Sequence, residues 1–292
     1  MSIFSGFESI VKEHCPLANY TKYGLGGAAD YLVAPQSIQQ LQEIMKRCQE
    51  NNLSVRVLGF GSNLLISDEG VKGVVIRLEN PSFCQSKFEQ TTLTAGAGAN
   101  LNNLVLESVR KGLGGLESLT GIPGSIGGAA RMNAGGRFGD IGSVIQSVTV
   151  MDAQGTVFEK AKPELIFDYR ATNITAKVIL GAVIKLTESD PDTLLHMVKE
   201  VWIYKKNTQP LDAHNAGCIF KNPRGLSAGA LIDRAGLKGT QIGGAVISEK
   251  HANFIIAEKG CKSSDIRQLI DLIRTKVRDK FDVTLELEIE IW

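Results

Sequence analysis

The chain of 292 residues is long enough for about two domains. Apolar residues make up 43% and charged residues 22%, which argues for a packed core and against a disordered chain. Lys plus Arg is 32 and Asp plus Glu is 31, a formal net charge of +1, so no bulk charge is available to hold a nucleic acid or an anionic membrane.

The start, Met1-Ser-Ile-Phe-Ser-Gly-Phe-Glu8, has no basic stretch followed by an apolar one, so no secretory leader is read. Apolar runs such as Val178–Ile184 fall short of the ~18 residues of a membrane span. The five cysteines, at 15, 48, 84, 218 and 261, contain no C-x-x-C pair. Neither a zinc site nor a disulfide framework is indicated, and a cytoplasmic chain with reduced thiols is expected.

In chain order, Ile38, Leu41, Ile44, Met45 and Cys48 recur at helical spacing. Val55–Leu58, Val74–Leu78 and Thr91–Ala95 read as strands. Leu101, Leu104, Val105 and Val109 form a second amphipathic helix, with Gly112 placed to end it. Residues 112–142 hold 11 of the 31 glycines, yet the segment is too rich in Leu and Ile for a flexible linker. Val144–Met151 reads as a strand, Asp152–Gly155 as a turn, Thr156–Glu159 as the returning strand, and Val178–Leu186 as a further strand. Thr187–Asp192, polar and containing a proline, is a candidate domain boundary. A helix near 192–206, a loop-rich segment 208–244 and a helix over Ser264–Phe281 follow. The last residues alternate strictly: Val283, Leu285, Leu287, Ile289 and Ile291 point one way, Thr284, Glu286, Glu288 and Glu290 the other, which predicts a half-buried strand.

Five constellations could carry chemistry. Gly59-Phe-Gly-Ser-Asn-Leu-Leu-Ile66 follows a strand, and its glycines leave backbone N–H groups open to a phosphate. It is neither a dinucleotide fingerprint nor a Walker A loop, and an ordinary strand-to-turn glycine pair reads the same way. Gly121–Gly136 is dense in small residues that let backbone approach a flat ligand, with Ser125, Arg131 and Asn133 as polar contacts. Close packing of two backbone segments is the alternative. Arg170, in Phe167-Asp-Tyr-Arg170, is either a surface ion-pair partner or a planar cation that grips a carboxylate or an enolate oxygen. Cys218, after Gly217, is either a small buried hydrophobe or a thiol that donates a proton or attacks a substrate. Glu286, Glu288 and Glu290 are a solvated strand face unless one of them points into a cleft. The histidines at 14, 196, 214 and 251 show no ligand spacing, and no metal site is read.

Taken in order and spacing, these motifs resemble one family, the UDP-N-acetylenolpyruvoylglucosamine reductases. The match runs from about Tyr20 to Ile291. It is carried by Gly59-Phe-Gly-Ser-Asn-Leu-Leu, Gly121-Ile-Pro-Gly-Ser-Ile-Gly-Gly, Met132-Asn-Ala-Gly135, Tyr169-Arg170 and Gln209-Pro210. Ala216-Gly-Cys-Ile-Phe-Lys-Asn-Pro223, His251-Ala-Asn-Phe254 and Leu285-Glu-Leu-Glu-Ile289 complete it. The resemblance implies an α+β protein with a flavin-binding fold of the vanillyl-alcohol-oxidase type. Two FAD-binding subdomains, 1–80 and 81–190, and a C-terminal α+β domain for the UDP-sugar, 191–292, are expected. The chain resembles the shorter form of the family, which lacks a tyrosine-bearing loop.

The implied reaction uses non-covalent FAD and NADPH to reduce an enolpyruvyl ether, with a UDP-sugar and NADPH as alternating ligands of a monomer. Arg170 and Glu288 match the family's arginine and acidic residue, and Cys218 stands where the family usually has a serine proton donor. The implied cofactor contacts are Gly59, Gly61, Ser62, Asn63 and Leu64; Gly121, Ile122, Pro123, Gly124, Ser125 and Gly128; and Asn133, Ala134 and Gly135. Lys205, Gln209, Lys221 and Asn222 are the implied substrate contacts. A thiol, with an ordinary pKa of about 8.5, is acidic enough to keep the donor role. Gly24 stands where the family often has arginine, and Tyr204-Lys-Lys206 where an arginine often precedes Gln-Pro, so Lys205 meets a phosphate without a bidentate fork. Two other readings are a flavin oxidoreductase of the same fold acting on another substrate and an inactive protein that binds FAD and a UDP-sugar.

Overall fold

The computed structural model describes residues 3–292. Met1 and Ser2, the start of the segment read above for a leader, lie outside the described residues. The chain divides into two compact units. The first takes in the chain up to Cys15, Asp30–Phe60 and Lys72–Ile203; the second comprises Pro16–Ala29, Gly61–Val71 and Tyr204–Trp292.

The first unit is built on two sheets. Val11–Pro16, Ala28–Val33, Val71–Ile76 and Val55–Val57 lie side by side in that order, with Val55 and Val74 in parallel register. The second sheet is antiparallel, in the order Val157–Ala161, Ile145–Met151, Val178–Lys185, Thr92–Gly96 and Ser86–Glu89. The strand Ser86–Glu89 was not legible from periodicity; a tight turn with Gln90 at φ +50° returns it onto Thr92.

Helix Ile38–Glu50 starts where Ser37 accepts a hydrogen bond from the Gln40 amide at 3.2 Å. It buries Leu41, Ile44, Met45 and Cys48, whereas Ile38, in its first turn, is 39% exposed. Helix Leu101–Arg110 is capped by Asn100 and buries Leu101, Leu104, Val105 and Val109, and Gly112 at φ +67° turns the chain away from it. Each such buried aliphatic side chain contributes about 1.5–3 kcal/mol. Thr187–Asp192 is not a free linker. Thr187–Glu188 pairs with Leu113–Gly114, and Asp190 accepts from the Thr193 amide at 2.8 Å to start helix Pro191–Thr208.

The second unit centres on helix Ser263–Phe281 and a sheet of Gln241–Ile242, Ala245–Ile247 and Ile255–Ala257. The helix buries Ile266, Leu269, Ile270, Ile273 and Val277, the face given by its periodicity. Asp68 accepts from the amides of Ser263 and Ser264 at 2.9 and 3.0 Å. Burial pushes the Asp68 carboxyl up, but hydrogen bonds from the backbone and side chains of Ser263 and Ser264 together outweigh it and hold its pKa below the ordinary value. The segment 208–244 also contains a short helix, Ala228–Arg234, capped by Ser227.

The terminal alternation is correct in burial but not in secondary structure. Leu285 and Ile289 are buried, and Thr284, Glu286 and Glu290 are exposed. Only Glu290–Ile291 forms a strand, parallel to Leu64–Leu65. The reason is a change of partner. Lys221 and Glu288 amides donate to Glu286 and Ile219 carbonyls, and the Glu290 and Trp292 amides then donate to Asn63 and Leu65 carbonyls. Among the described residues, no helix is long and apolar enough to cross a membrane.

Candidate active site

In the first unit a cavity of about 300 Å³ opens beside the turn after strand Val55–Val57. Leu58, Gly59 and Phe60 form one part of its wall; Ala97, Gly98, Ser125, Gly127 and Gly128 form another. A Cβ added at Gly128 would meet only the Ser125 Oγ, at 3.5 Å, so its Cα faces open space. A Cβ at Gly59 would come within 2.8 Å of the same oxygen. The missing side chains leave backbone bare along the cavity wall and make room for Ser125.

Two guanidinium groups also line the cavity. Arg77 pairs with Glu79 at 2.9 Å. Arg131 donates to the carbonyls of Ile174 and Ala176. Flat small-residue walls with fixed cations suit part of a planar cofactor that carries phosphates. Cys84 lines the same cavity, and burial pushes its thiol pKa up, with Glu79 adding to the effect.

Of the residues in this unit expected to hold a cofactor, Gly59, Ser125 and Gly128 line the cavity; the others do not. Gly121 and Gly124 tie their loop to helix Leu101–Arg110, through Asn102 Oδ1 at 3.1 Å and the Leu101 amide at 3.0 Å. Ile122 packs against the core, Pro123 is exposed, and Ala134 is buried. Arg77, Ala97 and Gly98 were missed. Ala97 and Gly98 carried a signal, because Ala95-Gly-Ala-Gly-Ala-Asn100 repeats small residues where strand Thr92–Gly96 ends; Arg77 carried none.

Asn133 is 2% exposed and lies at φ +47°. Its Nδ2 donates to the Asp168 carbonyl at 2.9 Å, and its Oδ1 accepts from the Gly142 amide at 2.9 Å. Both ends of the amide are therefore used within the protein. Arg170 sits in a two-residue turn closed by the Asp168–Ala171 pair, at φ +54°. An arginine in the left-handed region is strained by about 1–3 kcal/mol, and such strain gathers at functional sites. Arg170 Nη2 donates to the Gly135 carbonyl at 2.7 Å, and its guanidinium lies 5.3 Å from the Tyr169 ring centre.

In the second unit, Gly61 is at φ +60°, and a Cβ there would lie 2.2 Å from the Tyr20 carbonyl oxygen. No other residue fits that position. Ser62 is half-buried. Leu64 is a buried strand residue opposite Glu290. Asn63 Nδ2 donates to the Glu288 carbonyl at 3.0 Å.

Cys218 is half-buried, directly after Gly217 at φ +81°. The Gly217 amide donates to Asn215 Oδ1 at 3.0 Å. The next residue, Ile219, donates to the Asn253 carbonyl and accepts from the Glu288 amide, each at 2.8 Å. Asn253 exchanges two side-chain bonds with the Phe220 backbone, at 3.0 and 2.8 Å. The chain segments bearing Cys218 and Glu288 are thus direct backbone neighbours. Glu288 is also the half-buried member of its carboxylate face.

Lys221 pairs with Glu286 at 3.8 Å, and the Asn222 side chain accepts from the Ala228 amide at 2.9 Å. Lys205 is buried in the last turn of its helix, where its carbonyl accepts from the half-buried Gln209. Gly24 adopts φ +68°, with His214 Nδ1 3.6 Å from where a Cβ would stand.

Two family profiles match this chain: an FAD binding domain over residues 29–160 and the UDP-N-acetylenolpyruvoylglucosamine reductase C-terminal domain over 209–292. A reductase of that name from Bacillus subtilis strain 168 is 39% identical over 279 residues, covering 94% of this chain and 92% of the relative. Its namesake from Clostridium botulinum strain 657 is 39% identical over 278 residues, covering 94% and 90%. The crystal structure of UDP-N-acetylenolpyruvylglucosamine reductase from Thermus caldophilus superposes with a TM-score of 0.83 at 37% identity, covering 97% of this chain and 98% of that one. The α+β chain, an FAD-binding domain followed by this C-terminal domain, belongs to the UDP-N-acetylenolpyruvoylglucosamine reductase family.

Proposed function

We propose that this chain is the FAD- and NADPH-dependent enzyme that reduces the enolpyruvyl group of UDP-N-acetylglucosamine enolpyruvate to give UDP-N-acetylmuramate, a peptidoglycan precursor. The observation that carries this reading is Arg170, a cation fixed at a strained φ of +54° inside a chain with 39% identity to named reductases. Residues 1–80 and 81–190 act as two FAD-binding subdomains and 191–292 as the UDP-sugar domain, whose compact unit also takes in Pro16–Ala29 and Gly61–Val71. NADPH and UDP-sugars are cytosolic metabolites, which puts the reaction in the cytoplasm.

FAD is held through the Gly59–Leu64 loop and the small-residue walls around Ser125 and Gly128. The chemistry it supplies when bound is relay of a hydride from NADPH to the terminal alkene carbon. As that hydride arrives, negative charge grows on the adjacent carbon and spreads into the substrate carboxylate. Arg170 grips that carboxylate with its planar fork, a fixed charge aimed where charge develops. Cys218 gives its thiol proton to the adjacent carbon, which completes the lactyl ether, and solvent reprotonates the thiolate. Glu288 is the acidic partner in that protonation. Lys205, Gln209, Lys221 and Asn222 meet the UDP-sugar.

An anaerobic absorbance experiment tests the reading. The yellow flavin bleaches with NADPH and recovers when the enolpyruvyl sugar is added. Bleaching without recovery assigns the chain another acceptor, and a colourless protein removes the cofactor.

A further inference from the structure

Asn133 belongs to the Met132–Gly135 segment, which reads from sequence as a cofactor contact, yet each end of its side-chain amide bonds within the protein. The alternate residues of this segment each reach one hairpin. The Arg131 carbonyl accepts from Thr172 Oγ1 at 3.0 Å, Asn133 Nδ2 donates to the Asp168 carbonyl at 2.9 Å, and the Gly135 carbonyl accepts from Arg170 Nη2 at 2.7 Å. Asp168 and Thr172 lie on opposite strands of that hairpin, and Tyr169 and Arg170 are its turn. The other end of the Asn133 amide leads to the same place: Oδ1 holds Gly142, whose Cα packs so closely under Phe167 that a Cβ would fall 2.4 Å from its ring.

We propose that Asn133 is a positioning residue for Arg170: its buried amide clamps the Phe167–Thr172 hairpin so that the guanidinium is held in its left-handed turn. The inference rests on the assignment of Arg170 to the substrate carboxylate. A residue at φ +54° relaxes unless its surroundings over-determine it, and the Asp168 carbonyl, two residues before Arg170, is where the constraint enters. Asn133 is itself at φ +47°, so asparagine serves here both as a backbone shape and as a donor.

Two substitutions separate those roles. Asn133→Gly keeps the left-handed backbone and removes the amide. Asn133→Asp keeps the acceptor for Gly142 and replaces the donor with an oxygen. Thr172→Val removes the tie on the other strand and serves if either of the first two fails to fold. The holoenzymes are compared by stopped-flow in the two half-reactions, flavin reduction by NADPH and flavin reoxidation by the enolpyruvyl sugar. The melting temperature is recorded alongside.

The expected result is reoxidation slowed about tenfold to a hundredfold, as for a misplaced reacting group, with flavin reduction within about twofold of the parent. In an Arg170→Ala background the same Asn133 substitution adds nothing, because it acts through the missing group. Parent-rate reoxidation in Asn133→Gly, or the same slowing in both backgrounds, overturns the proposal. Equal slowing of both half-reactions with a lowered melting temperature overturns it too, since that is what a structural role does. Parent-rate reoxidation in Arg170→Ala alone instead removes the assignment of Arg170 itself.

Discussion

The side-chain amide of Asn63 donates to the backbone carbonyl of Glu288 across 3.0 Å and 225 positions of sequence. The Glu288 amide, on its other side, donates to Ile219. Glu288 therefore sits where the C-terminal segment leaves Ile219–Lys221 as its partner and takes up Asn63–Leu65. The peptide groups on both sides of Glu288 are held, and the residue is half-buried. Asn63→Ala leaves that carbonyl without its donor, a cost of about 1–3 kcal/mol. A urea-denaturation midpoint below that of the parent is the expected result, with slower sugar reduction.

Glu288 and Glu286 share a face, but only Glu288 is half-buried. Glu286 has a side chain 77% exposed, and its pair with Lys221 at 3.8 Å is a surface contact worth at most about 1 kcal/mol. Glu286→Gln is expected to turn over within about twofold of the parent. Glu288→Gln is expected to lose about a hundredfold in kcat, the scale of a lost electrostatic partner. Equal rates for the two variants would show that the wrong carboxylate was chosen.

Cys218 is the clearest departure from a serine donor. Cys218→Ser is expected to retain activity within about tenfold, since a hydroxyl can occupy the same place. Cys218→Ala is expected to bleach normally with NADPH and to slow product formation by about a hundredfold or more. Turnover by Cys218→Ala at the parent rate assigns the proton to another group.

His251 sets a pH limit on this half of the protein. Burial, aided by the nearby Lys238 charge, holds the imidazole below its ordinary value of 6.5. Nδ1 accepts from the Asn253 amide at 3.2 Å, which requires the neutral ring. The unfolded chain binds the proton more readily than the folded one. The stabilisation is therefore complete above the ordinary imidazole value and is lost as pH falls through the lowered folded value. Asn253 carries the Phe220 backbone, two residues from Cys218, so acid loosens the thiol's segment as well. A urea midpoint that drops between about pH 8 and about pH 5 in the parent, and drops less in His251→Gln, is the expected result.

Helices were the most legible part of the chain. Leu41–Cys48, Leu101–Val109 and Ile266–Val277 bury the faces their spacing gives, because a 3.6-residue period is a local property. The motifs were legible as residues, but their contacts were not. Asn63 and Asn133 stand in glycine-rich motifs that suggest a cofactor, yet each amide reaches the backbone of a segment bearing a proposed catalytic residue. Sequence spacing cannot report where a side-chain amide points when its partner lies 35 or 225 residues away. The terminal alternation failed for the same reason. Burial alternates locally, but a ladder needs one continuous partner, and here two segments share the role.

The second unit draws its three pieces from residues 16–29, 61–71 and 204–292. Tyr23 bonds to Ile255, Asp68 to Ser263, and Asn63 to Glu288, over 232, 195 and 225 residues respectively. Contacts of that span form slowly, because the entropy of closing the loop comes before the gain. During translation the segments around Tyr23 and Asn63 emerge first and must wait for Ile255 and Glu288 to leave the ribosome. Glu288 is made 225 residues after Asn63, and the loop that holds it stands without that partner over the whole interval.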